Sequence, residues 1–142
     1  MGTPAPGARG KMRSDIELTR AVIQTERQAI VSHALELTDA QSEKFWPLFR
    51  EYRVERAKIS DRLVKIILDY AEHYPNVTVD EARDMVDGYL DLQSDELKLR
   101  KRYLPRFRKI LPEIKVTRLY QVENKLDAAI KLELAKSIPL IW

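Results

Sequence analysis

Apolar side chains recur at seven-residue intervals along much of this chain, the spacing of helices that pack along one another. Phe45, Tyr52, Ile59 and Ile66 form one such row. Phe49, Leu63 and Tyr70 form a second, interrupted by Arg56, and Leu90, Leu97, Leu104 and Leu111 a third. Four glycines in 142 residues, with 33% charged side chains, suit long helices and not a turn-rich β protein. The expected fold class is all-α, four helices in a single domain, a size that buries roughly two thirds of the surface its unfolded chain exposes.

Start signals place the helices. Ser14 followed by Glu17 reads as a capping box, in which the hydroxyl takes an orphan amide and the carboxylate reaches back, so a first helix is expected over 14–35. Thr38 with Gln41 opens a second over 38–73, Thr78 with Glu81 a third over 78–110, and Pro112 takes the first position of a fourth over 112–136. Pro47 removes one backbone hydrogen bond and should bend the second helix. Residues 1–13 are rich in small residues and lack the apolar centre of a signal peptide, so they read as a flexible leader or a remnant of expression.

Packing expectations follow from the same rows. The first helix repeats Ile16, Ile23 and Ile30, but Arg20 and Arg27 occupy the companion positions, so weak docking is expected. The third helix has Met85, Tyr89, Leu92, Leu99 and Tyr103 on one face and the Leu90 row beside it, which predicts a central helix buried on two sides. The fourth presents Leu119, Val122, Leu126 and Ala129 inward, and the apolar tail Ile138–Trp142 should dock, on this chain or on a second subunit.

Little in the sequence supports catalysis. There are no cysteines, which removes disulfides, thiolate metal sites and cysteine nucleophiles. The serines sit in helical or capping positions without a strained elbow, and no glycine-rich phosphate loop occurs. The only histidines are His33, three residues before Glu36, and His73, four after Asp69, too sparse to predict a metal site. No enzyme, cofactor or metal is expected, and no apolar run approaches the roughly 20 residues of a membrane span.

Charge is distributed unevenly. Between Thr78 and Glu96 the acids Asp80, Glu81, Asp84, Asp87, Asp91, Asp95 and Glu96 face only Arg83, whereas Lys98 to Arg118 holds nine bases against Glu113. Acids near a helix start and bases near its end suit the helix dipole. The basic half, where Tyr103, Leu104 and Phe107 interleave with Arg106 and Arg108, also suits acidic, partly unfolded chains. Nucleic acid is the weaker alternative, because the net charge is only +3 and no helix-turn-helix pattern is present.

Leu37-Thr38-Asp39-Ala40-Gln41 resembles the LTxxQ motif of the Spy/CpxP group of periplasmic stress proteins. The following Phe45-Trp46-Pro47-Leu48-Phe49, with Tyr103-Leu104-Pro105, Leu111-Pro112 and Tyr120-Gln121-Val122-Glu123-Asn124-Lys125, is similar to uncharacterised secreted members of that group. The resemblance implies a bent antiparallel helical hairpin that dimerises into a cradle, with periplasmic localisation. Some members are ATP-independent chaperones, some restrain an envelope-stress sensor, and relatives bind or sense divalent metals. Where a second motif would stand, this chain reads Leu111-Pro112-Glu113-Ile114-Lys115, without its Thr and Gln.

The expected function is thus a homodimeric periplasmic binding protein that holds non-native or signalling polypeptides without a nucleotide. The alternatives are a sensor accessory and a structural bundle without a client. Charge and the position of the Pro47 bend nominate Trp46, Arg50, Arg53, Arg102, Arg106 and Arg108 as client contacts, with Leu37, Thr38, Gln41, Thr78 and Glu81 as motif and capping residues.

Overall fold

A computed structural model describes residues 8–142. The expectation for residues 1–7 lies outside the described residues. Four helices, α1 (Ala8–Leu35), α2 (Asp39–His73), α3 (Val79–Ile110) and α4 (Glu113–Lys136), account for nearly all of the described chain, and no strand occurs in it. Each helix runs antiparallel to its sequence neighbours, α1 and α4 close the ring, and the largest interface joins α2 to α3. This is the up-down-up-down arrangement of a four-helix bundle, whose short loops require antiparallel neighbours.

The caps of α2 and α3 form where the sequence placed them. The Thr38 hydroxyl accepts the Gln41 amide at 3.2 Å while Gln41 Oε1 accepts the Thr38 amide at 3.0 Å, a complete capping box. Thr78 accepts the Glu81 amide at 3.1 Å. Pro112 is the N-cap of α4 and not its first helical residue, in extended conformation with φ −60°. The expected start of α1 at Ser14 is corrected: the helix is already formed at Ala8, and Ser14 lies inside it. Glu17, no longer needed at a cap, lies 3.7 Å from Arg20.

The core has an aromatic end and an ionic middle. Phe45, Phe49 and Tyr52 from α2 interlock with Tyr103 and Phe107 from α3, with Phe107 edge-on to Tyr52 at 5.7 Å. Such offset and edge contacts add to plain area burial. A smaller cluster of Ile16, Val64, Ile67 and Leu68 lies toward the opposite end.

Three packing expectations are overturned. First, α1 docks tightly: Val31 and Leu35 are fully buried, Arg27 is 2% exposed, and Ile30 faces out. Second, α3 buries one face only, because Leu92, Leu99, Tyr103 and Phe107 pack inward while Leu90 and Leu97 remain exposed. The α2 interface covers one side of α3 and α4 meets it only from Glu96 onward, so Leu104 and Leu111 of the second row are covered while no helix lies over Leu90 and Leu97. Third, Ala129 is exposed on α4. The tail docks as far as Pro139, whose carbonyl accepts the Tyr70 hydroxyl at 2.6 Å, and Leu140, Ile141 and Trp142 stay exposed.

Candidate functional site

A groove of about 360 Å³ runs between α1 and α2 and reaches Ile130 of α4. Its apolar wall comes from Ile23, Trp46, Phe49 and Val54, and its charge from Arg20, Arg27, Arg50 and Arg53. The local sequence explains this mixture: on α2, Trp46, Arg50, Arg53 and Ala57 recur at three- and four-residue steps, which stacks them along one face. Trp46 is half-buried, held edge-on to Phe45 at 4.9 Å and to Phe49 at 5.8 Å. Two sides of its indole are thereby fixed, while the residue still borders the groove.

Beneath the groove lies the ionic middle of the core. Glu123 of α4, 4% exposed, meets Arg53 at 2.8 Å and Arg27 at 2.8 Å. The Arg27 contact lies off the hydrogen-bonding line, so it is an ion pair without an aligned bond. Asp127, one turn on, takes Arg27 at 2.9 Å and Arg56 at 2.7 Å. Arg56 also binds the Tyr52 hydroxyl at 2.8 Å and approaches Glu96 of α3 at 3.3 Å. Three arginines and three carboxylates thus bind all four helices in one network. Isolated charges at this depth would be untenable, and each is retained only because its partners are present. Burial lowers the Arg53 pKa against the opposing pull of Glu123, and burial raises that of Tyr52.

The six nominated client residues separate into two sets. Trp46, Arg50 and Arg53 share the groove, and Arg50 is exposed with no ion pair among the described residues. Arg102, Arg106 and Arg108 lie on α3 and do not line it. Arg106 grips Glu51 through two bonds of 2.9 and 2.8 Å and stacks 4.8 Å over the Tyr103 ring. That fork holds the Glu51 carboxyl below its ordinary range. Arg108 pairs with Glu113 at 3.0 Å, and Arg102 lies 5.9 Å over Tyr103. Two of these three charges are therefore already matched within the chain.

The motif residues have a structural duty that their spacing alone did not reveal. Gln41 Oε1 also accepts the Lys115 ammonium at 2.9 Å, and Lys115 reaches the Glu36 carbonyl at 2.8 Å. The segment Leu37–Gln41 is thus bolted to Lys115 in the first turn of α4. Leu37 packs partly buried against the core. Sequence reasoning missed Arg27, Arg56, Glu96, Glu123 and Asp127 as a connected group. The available signal was the interruption of two apolar rows by Arg27 and Arg56, which demands buried acids on a facing helix.

Among the described residues no helix is long and apolar enough to cross a membrane, and no cluster of three or more His, Asp or Glu side chains could hold a metal ion. No protein-family model, curated protein or solved structure matches the chain.

Proposed function

We propose that this chain is a stress-related binding protein of the periplasm that holds non-native polypeptides as a homodimer, without nucleotide or cofactor. The observation that carries the reading is the α1–α2 groove, in which the Trp46 edge and the side chains of Ile23 and Val54 lie beside Arg50, which has no ion pair among the described residues. An exposed apolar surface next to a free cation attracts acidic, partly unfolded chains and loses its hold when the client buries its own apolar residues. The LTxxQ-like segment supports the periplasmic assignment, and the buried ion network supports a rigid groove in place of a flexible one.

Light scattering of a chemically unfolded client, diluted with the chain at equal molar ratio, tests this reading. The chain should suppress aggregation at low salt and less so at high salt, since exposed charges are screened beyond about 10 Å at 0.1 M. Arg50→Glu and Trp46→Ala should each weaken suppression severalfold while leaving helicity unchanged. Absence of suppression by the unaltered chain at any ratio would sink the chaperone reading in favour of the sensor or structural one. Fractionation of cells making the native gene product checks the compartment.

A further inference from the structure

The side of α3 that faces away from α2 carries Val79, Val86, Leu90 and Leu97, which are 76%, 54%, 56% and 49% exposed. At about 100° per residue these four fall within an arc of roughly 40°. They form a straight apolar line, opposite the buried Leu92 and Leu99, that ends at Leu104, half-buried beside α4. Beside this line, on one flank, Asp80, Asp84, Asp87 and Asp91 outnumber Arg83 in the first half of the helix, and Lys98 and Lys101 occupy the second. These four acids and two lysines are exposed, and none has an ion pair among the described residues. The bundle neither covers the line nor uses the charges.

We infer that this face of α3 is a self-association surface on which a second copy docks antiparallel. When two helices pair antiparallel, each flank meets the same flank of its partner in reverse order. The acidic half of one α3 then lies along the basic half of the other, twice over, as a two-fold interface requires. A parallel pairing has no such match. Centring the pair between Asp91 and Leu92 sets Leu97 against Val86 of the second copy, and brings Lys98 and Lys101 alongside its Asp84 and Asp80. The inference rests on the homodimer of the proposed function and assigns its face, on the far side of α3 from the groove.

Analytical ultracentrifugation of the full chain over a wide concentration range tests the assignment. The unaltered chain should dimerise reversibly, more weakly as salt rises. Leu97→Glu should weaken the dimer at least tenfold and leave the thermal midpoint unchanged at concentrations where the unaltered chain is already monomeric, since the residue is exposed on the single chain. Asp84→Lys and Lys98→Asp should each weaken it, and the double variant should restore it, because the charge order is then reversed on both copies. A chain that stays monomeric at every concentration, a dimer indifferent to Leu97→Glu, or a double variant no better than the singles would overturn the inference. Aggregation assays on monomeric Leu97→Glu separate the two readings: suppression retained per chain keeps the groove reading whatever becomes of the interface.

Discussion

The aromatic end of the bundle and its ionic middle are both buried, yet they hold the helices in different ways. Around Phe107, rings from α2, α3 and α4 touch at centroid distances of 5.7 to 6.4 Å with varied tilts. Around Glu123, next along α2 at Arg53 and Arg56, charges meet assigned partners. Rings bury area and accept several arrangements. Charges of opposite sign accept only the register that pairs them, and any other leaves an ion stranded. The difference teaches that the aromatic end supplies stability to the α2–α3 hairpin, whereas the ionic middle decides where α1 and α4 sit on it.

Substitutions at Phe107, Arg27 and Glu123 sharpen that contrast. Phe107→Ala, at a fully buried position, should lower stability by about 3–5 kcal/mol through lost burial and a cavity, read by chemical denaturation. Arg27→Met should cost about 3 kcal/mol because it takes a buried cation from both Glu123 and Asp127, leaving each with its α2 arginine alone. Arg27→Met with Glu123→Leu should cost less than the sum of the two single changes, since the remaining Arg56–Asp127 pair is intact and Arg53 can turn to solvent. Equal additivity would mean that the network does not fix register.

Glu36 closes α1 with φ 47°, a left-handed conformation that disfavours side chains. Glu36→Gly should raise stability by about 1 kcal/mol, because the strain goes while its carbonyl still receives Lys115. The smallest effect concerns Tyr120, where the aromatic end meets α4. Burial pushes its hydroxyl up to about 12, while the unfolded chain keeps the ordinary value near 10. The folded state therefore favours the protonated form. That contribution is fully present below pH 10 and is lost as pH rises from 10 through 12. Tyr120→Phe should lessen the alkaline slope of thermal midpoints, to which buried Tyr52 also contributes, at the expense of the bond from the Tyr120 hydroxyl to the Arg100 carbonyl at 2.8 Å.

Half of the candidate site was legible in the sequence. Trp46, Arg50 and Arg53 share a helical face by spacing alone, so their joint placement needed no tertiary knowledge. Arg102, Arg106 and Arg108 share the basic character that nominated them, but composition does not reveal that Glu51 and Glu113 already satisfy two of them. The opposite wall, Arg20 and Ile23, was hidden because the arginines of α1 read as defects in an apolar stripe.

What the sequence determined by itself is local. Thr38, Gln41 and Thr78 end their loops through bonds to amides three residues away, and the heptad rows select the faces of α2 that turn inward. Such signals act within a few turns, so any chain conformation carries them. Only the tertiary structure decided which of two adjacent rows on α3 would be buried, that α1 would dock through Arg27, and that Lys115 would reach Gln41. The last two depend on residues 100 and 74 positions apart in sequence, and the first on contacts between α2 and α3 such as that of Tyr103 with Glu51, 52 positions apart. An arginine is a defect or an anchor according to whether an acid faces it across the bundle, and that is settled only when the helices assemble.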